Sequence, residues 1–295
     1  MRLVLWLAVT LLTASAPPGA QAGAVLDRIQ ATGRITLAHR ESSVPFSYVD
    51  AQGKPMGYAM DLCQRLVGAL RAQLQRPDLT VNYLPVTAAN RIQAITSGQA
   101  DLECGSTTNN AERRQQVAFT VPHFITGARF LVRADSSVST LAGFDRLKLV
   151  STRGTTPLKA ISAANQERLM GITVLEAPDH ARAVQMVENG QADGFAMDDV
   201  LLYGLMASRP DPSRLKVVGK FLSIEPLAIM MAKDDVEFKR LIDNEMKRLV
   251  RTRQAHALYE RWFEQPIPPA QTALKLPMSH LLREFWKYPS DAVPF

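Results

Sequence analysis

The sequence predicts an α/β fold of two lobes, the first of them discontinuous, and three observations carry that prediction. The phrases Gly98-Gln99-Ala100-Asp101 and Gly190-Gln191-Ala192-Asp193 each close an amphipathic helix and feed a short strand. Laid over one another, they align Ile92 and Ile95 with Val184 and Val187, Thr87 with Asp179, and Ser106 with Asp198, so one design is built twice. Strand-like and helix-like segments alternate around both phrases, the pattern of α/β architecture. Finally, the apolar run at 227–231 reads as completing the first lobe after the second has been made, so the chain crosses twice and the two crossings form a hinge. Strand ends of such sheets present ligand sites. The repeat therefore sets the Ser106 hydroxyl of one lobe opposite the Asp198 carboxylate of the other.

Taken in order, Arg2, an apolar run over residues 3–12 and the small-residue end Ala20-Gln21-Ala22 read as a secretory signal peptide over residues 1–22, cleaved before Gly23. The alternative, a membrane anchor, needs a span of ~20 apolar residues, more than this run supplies. Residues 23–133 form the first part of lobe 1. They hold a short helix ended by Gly33, a buried strand at 35–38, a hairpin turning at Asp50-Ala51-Gln52-Gly53, and a helix at 59–74. A strand at 80–86, the first repeat unit and a strand at 130–133 follow, and the polar stretch 135–140 carries the first crossing. Lobe 2, residues 134–223, opens with a strand at 147–150 and a helix capped by Thr156 with Pro157 as its first residue. Strands at 172–175 and 215–218 flank the second repeat unit. The return crossing falls near 222–226, and residues 224–265 complete lobe 1 with a helix carrying Phe238, Leu241, Ile242, Met246 and Leu249 on one face. Residues 266–295 are an extension, apolar enough through Leu282, Phe285 and Trp286 to pack on a lobe.

A hydrophobic content of 46% over 295 residues is enough to bury cores of this size. The net charge of +6 suits anionic ligands, but Lys and Arg are dispersed, without the clustering with aromatics that nucleic-acid binding requires. The densest basic group, Lys247, Arg248, Arg251 and Arg253, reads as a solvated helix face. Cys63 and Cys104 are the only cysteines; an even count in an exported chain predicts one disulfide within lobe 1, the alternative being two buried thiols. Neither has a partner at metal-ligand spacing, so no metal and no cofactor are expected.

The element order, with Arg40-Glu41-Ser42-Ser43-Val44-Pro45-Phe46 and Gly57-Tyr58-Ala59-Met60-Asp61-Leu62, resembles the periplasmic solute-binding proteins of polar amino-acid ABC transporters. Further phrases are similar to its glutamate/aspartate-binding branch: Pro85-Val86-Thr87 with Asn90-Arg91-Ile92, Asp101 through Asn109, Glu112-Arg113 and Met197-Asp198-Asp199. The likeness runs from about Val25 through Pro269 and into the tail. It implies the type II-like periplasmic binding protein fold with a two-strand hinge, a periplasmic location and a monomer. It also implies that Arg113 holds the α-carboxylate of a bound amino acid, Asp198 its α-ammonium, and Ser106 and Thr108 the rest of the cradle. Arg40 and Arg91 would reach the side-chain carboxylate, joined by Thr156 and His180 from the second lobe.

The residues support that assignment on physical grounds. A planar guanidinium grips both oxygens of a carboxylate. Arg40 follows a strand end, and Arg91 and His180 lie near helix N-termini, where the helix dipole favours anions. These groups converging with Arg113 ask for two carboxylates, and Asp198 asks for one ammonium. A neutral amide would leave a buried arginine without its counter-charge, a cost of about 3–5 kcal/mol, or a hundredfold and more at about 1.4 kcal/mol per tenfold. Asp199 is the alternative to Asp198, and Phe46 and Tyr48 either flank the ligand or fill the hairpin core.

The expected function is an extracytoplasmic receptor that closes on L-glutamate or L-aspartate and delivers it to an ABC transporter permease, not an enzyme. Two alternatives stand beside it. One is a dehydratase on the same fold acting on a cyclic carboxylate, with His180 or Glu41 as acid or base; the other is a sensory receptor that presents its ligand. The cleft phrases hold no Ser-His-Asp or metal constellation.

Overall fold

A computed structural model describes residues 23–293. The signal peptide expected over residues 1–22 and its cleavage point lie outside them. The chain opens with α1 (Ala24–Thr32), β1 (Arg34–His39) and a small hairpin sheet of β2 (Ser42–Ser43), β3 (Ser47–Val49) and β4 (Pro55–Met56). Next come α2 (Tyr58–Gln73), β5 (Thr80–Pro85), α3 (Arg91–Thr96), β6 (Leu102–Thr108), α4 (Ala111–Arg114), β7 (Val117–Phe119) and β8 (Phe124–Thr126). A second block holds β9 (Ala128–Arg133), β10 (Lys148–Thr152), α5 (Thr156–Glu167), β11 (Thr173–Ala177) and α6 (His180–Glu188). It ends with β12 (Gly194–Asp198), α7 (Asp199–Ala207) and β13 (Leu215–Val218). The return segment is β14 (Glu225–Ala232), α8 (Val236–Arg251) and α9 (Gln254–Tyr259), followed by β15 (Pro266–Ile267), β16 (Thr272–Ala273) and α10 (His280–Phe285).

The fold is α/β and two-lobed. One sheet runs β5-β1-β6-β14-β7, with β8 also paired to β14; the other runs β11-β10-β12-β9-β13. In each, three parallel strands meet an antiparallel fourth, β14 in the first sheet and β9 in the second. The repeated phrase explains this likeness atom by atom. Gly98 and Gly190 follow the ends of α3 and α6 at φ +72° and +70°, a left-handed turn that glycine adopts without a Cβ penalty. Asp101 then donates its N–H to Thr36 O at 2.9 Å and accepts the Thr36 N–H on its carboxylate at 2.8 Å. Asp193 does the same with Lys148, both bonds at 2.8 Å. Each aspartate thus staples the strand after the helix to the neighbouring parallel strand.

The first crossing lies earlier than the 135–140 stretch expected for it. β9 pairs antiparallel with β12 and β13, so the chain changes lobe at Gly127, between β8 and β9, and residues 128–133 belong with the second sheet. The reason is burial: Phe130, Leu131 and Val132 are all within 1% of full burial, as a central strand demands, and an apolar run does not say which sheet it joins. The chain returns between β13 and β14, with Leu222 N–H on Ala128 O at 2.9 Å and Glu225 paired to Thr126, so the two crossings lie side by side.

Phe46, Tyr58, Phe124, Tyr259 and Phe263 form an aromatic cluster in the first lobe, with centroids 4.4–6.2 Å apart along its contacts. Phe46 is therefore core, and Tyr48 packs edge-on against Trp262 with its hydroxyl on Pro268 O; neither borders the cleft cavity described below. The extension lies on this lobe, with Leu276 N–H on Phe263 O and Trp286 Nε1 on Pro122 O. His123 is fully buried beside Phe46 and Tyr58, and burial pushes its imidazole down to about 3. A base whose folded value lies below its unfolded value stabilises the fold above the unfolded value and loses that contribution as pH falls toward the folded one. His123→Phe should therefore flatten the acid limb of thermal unfolding below about pH 6.5, where the slope from one such group reaches about 1.4 kcal/mol per unit. Superimposable melting curves against pH for the two proteins would refute this.

Candidate ligand site

Of the eight expected binding residues, Arg40, Arg91, Ser106 and Thr108 of the first lobe and Thr156, His180 and Asp198 of the second line one closed-down cavity between the sheets, with only about 10 Å³ of free space. Arg113, the eighth, is not among the lining residues but bonds the backbone beside them. Its Nη1 donates to Thr108 O at 3.0 Å and its Nη2 to Gly154 O at 3.2 Å, so its guanidinium spans the two lobes.

Local structure places each group. Arg40 leaves the end of β1, and its N–H donates to Ser47 Oγ at 2.9 Å, which fixes the backbone against the hairpin. Arg91 is the first residue of α3 and His180 the first of α6, where Asp179 Oδ1 caps the helix on Arg182 N at 2.8 Å. Thr87 is not the corresponding cap of α3. Its side chain bonds Asn90 in the turn that precedes the helix, and Asn90 is the boundary residue. The cap of α5 is likewise displaced by one residue. Thr155, not Thr156, accepts from Leu158 N, Thr156 is the first helical residue, and Pro157 is the second. Freed from capping, Thr156 Oγ1 donates to Glu225 Oε2 at 2.7 Å and lies 3.2 Å from Thr108 Oγ1 across the cleft. Asp199 is engaged elsewhere, accepting from Thr126 Oγ1 at 2.6 Å beside the first crossing.

Two buried carboxylates join these groups that the sequence reading missed. Glu103, on β6, accepts from Thr107 Oγ1 at 2.6 Å and lies in the field of Arg40 and Arg91. Glu225, at the start of β14, holds Thr156 and Ser223 through its two oxygens. A charged residue inside an otherwise buried strand is a signal in its own right, and it could have flagged both. With them, three guanidiniums face three carboxylates, so a net charge count no longer dictates the charge of a ligand.

The charged groups around the cavity still differ in character. Burial, then Arg91, draws the Arg40 guanidinium down to about 9, and the same causes draw Arg113 down to about 10; both remain cations at neutral pH. Burial, reinforced by Arg40 and Arg91, keeps the His180 ring well below the usual histidine range, and its Nδ1 lies 2.7 Å from Thr152 Oγ1. Burial, and next the neighbouring Glu225, lifts Asp198 well above the usual carboxylate range. Arg40 Nη1, Arg91 Nε, His180 Nε2 and Asp198 Oδ1 are buried polar atoms with no hydrogen-bond partner among the described residues. Such atoms cost about 1–3 kcal/mol each when left unsatisfied, and more when charged. Guanidinium donors and a carboxylate oxygen left unpaired around one cavity suit a small zwitterion with a second anionic group. The described residues contain no cluster suited to a metal ion.

A family model for bacterial extracellular solute-binding proteins, family 3, matches residues 35–265. The chain is 38% identical over 270 residues to the glutamate/aspartate import solute-binding protein of Escherichia coli, covering 92% of this chain and 89% of that protein. It is 40% identical to the L-glutamate/L-aspartate-binding protein of Pseudomonas aeruginosa, covering 90% and 88%. Among solved structures, the cysteine-binding protein of Campylobacter jejuni superposes with a TM-score of 0.71 at 25% identity, covering 81% of this chain and 92% of that one.

Proposed function

This chain belongs to the bacterial extracellular solute-binding proteins, family 3, and from that premise we propose that it is a receptor which closes its lobes on L-glutamate or L-aspartate and delivers the ligand to an ABC transporter permease. It is a binding protein and not an enzyme, as are its relatives named for glutamate and aspartate. The leader read over residues 1–22 would route it to the periplasm. The observation that carries the ligand is the set of unpartnered buried atoms around the cavity, Arg40 Nη1, Arg91 Nε and His180 Nε2 against Asp198 Oδ1. An acidic amino acid satisfies these atoms together, and because Arg40 and Arg91 come from the first lobe and His180 and Asp198 from the second, its binding favours the closed arrangement.

Calorimetric titration of the refolded, ligand-free protein with an amino-acid panel tests the reading. L-glutamate or L-aspartate should bind at least about a hundredfold more tightly than the matching amide, the discrimination that an unpaired buried arginine imposes. Arg40→Ala and Arg91→Ala should each weaken acidic ligands far more than Arg146→Ala, whose side chain is exposed. Arg28, which bonds Asp101 at the strand staple, is no neutral control. Equal affinity for acids and amides, or equal effects of the three substitutions, would defeat the assignment.

A further inference from the structure

The lobes meet beside the cavity at two places where one side is a bare glycine. Gly204 lies in α7 of the second lobe, one turn after the cavity-lining Leu201. A Cβ built on it would fall 2.3 Å from Val44 O, 2.7 Å from Val44 C and 3.2 Å from Val44 Cβ, all in the first lobe between β2 and β3. Gly154, just before the lining residues Thr155 and Thr156, sits as closely on the backbone of Ala88 and Ala89, where an added Cβ would fall 2.6 Å from Ala88 O. Gly204 is the more informative of the two, since Gly154 also has φ +79° and any side chain there would strain its own turn.

We infer that Gly204 sets how far the lobes can close, and so governs ligand affinity without touching the ligand. The three nearest neighbours of an added methyl all belong to Val44, across the cleft, so the closest clash lies with the first lobe and not within the second. What alanine would displace is a backbone carbonyl of the facing lobe, and an ordinary contact distance requires the two to part by roughly 1 Å. The bonds between lobes have no such slack. Thr108 to Thr156 and Arg113 to Gly154 are both 3.2 Å, and a further ångström takes them beyond hydrogen-bonding range. The same wedge would withdraw His180 and Asp198 from Arg40, Arg91 and Ser106, leaving a ligand gripped by one lobe at a time. Gly204 is thus a positioning residue for closure.

The inference rests on the receptor reading above, and the test separates the two. Titrations with L-glutamate and L-aspartate, stopped-flow dissociation, melting of the ligand-free protein and small-angle scattering with and without ligand are run on wild type, Gly204→Ala, Gly204→Ser and Gly68→Ala. Gly68 lies in α2 with nothing within 4 Å of an added Cβ, so it reports the helix benefit of alanine alone. Expected for Gly204→Ala are a Kd raised tenfold or more, chiefly through faster dissociation, and a smaller ligand-induced compaction, with a ligand-free Tm equal to or above wild type. Gly204→Ser should weaken binding at least as much, and Gly68→Ala should leave Kd and compaction unchanged. Wild-type affinity and full compaction in Gly204→Ala overturn the inference alone. So does a fall in its ligand-free Tm, which would place the clash within the second lobe. Failure of wild type to bind either acid overturns the receptor reading and this inference with it.

Discussion

Asp198→Asn lowers affinity for L-glutamate or L-aspartate by on the order of 10²–10³-fold, the cost of truncating one partner of a buried charge pair at about 2–5 kcal/mol. The carboxylate is 3% exposed at the end of β12, with Oδ1 unpartnered and facing the field of Arg91 and Arg113. A cation reaching the cavity favours its ionised form, and an asparagine amide offers that cation no counter-charge. A pH signature accompanies the loss. Because burial and Glu225 raise the Asp198 carboxyl, protons compete with the ligand ammonium, so wild-type affinity weakens as pH falls through that raised value. Calorimetry at descending pH, kept above about 5 so that the ligand's own side-chain carboxylate stays ionised, should show the wild-type decline and a flatter Asp198→Asn profile. Unaltered affinity in the variant, or parallel profiles, would remove Asp198 from the ammonium role.

Removing the disulfide should cost about 4 kcal/mol of stability. Cys63 on α2 and Cys104 on β6 are bonded, both side chains are fully buried, and the bridge closes a loop of 41 residues. In the chain-entropy description, a loop of that length constrains the unfolded ensemble by about 4 kcal/mol, the magnitude set by the logarithm of loop size. The bridge also fixes the helix to the strand that carries Ser106 and Thr108, so the cradle is anchored from behind. Urea unfolding of the Cys63→Ala/Cys104→Ala protein should show a clearly lowered midpoint, with a slope no shallower than wild type because the uncrosslinked unfolded chain exposes more surface. A midpoint within experimental error of wild type would mean that the first lobe's packing holds this loop without a covalent tie.

What could be read from the residues, and what could not, divides along physical lines. The duplicated architecture was legible because Asp101 and Asp193 perform the same two-bond task in each lobe, and such a task leaves the same letters behind. The cavity residues were legible as a set through resemblance, and Arg91 and His180 also through their helix-start positions. The sheet to which β9 belongs was not, since burial on both faces produces the same apolar run in either lobe. The α5 cap was misplaced by one residue because Thr155 and Thr156 are chemically equivalent, and only the fold distinguishes the hydroxyl facing Leu158 N from the one facing Glu225. Glu103 and Glu225 escaped for a related reason. A buried carboxylate acquires its meaning from partners far away in sequence, and those partners are known only once the chain has closed on itself.

The interrupted first sheet has a consequence for how a molecule of this kind is made. β14 lies between β6 and β7, strands formed long before it in the chain, whereas every strand of the other sheet falls between residues 128 and 218. A polypeptide emerging amino end first can therefore finish its later-encoded half while the earlier one still waits for its central member. Throughout that interval β6 keeps an open edge of unpaired amides and carbonyls, the kind of surface that recruits strands from other chains. Completion of the earlier-encoded half thus depends on the later one, and the insertion of one late strand into a half-built scaffold is the step that long-range pairing slows most.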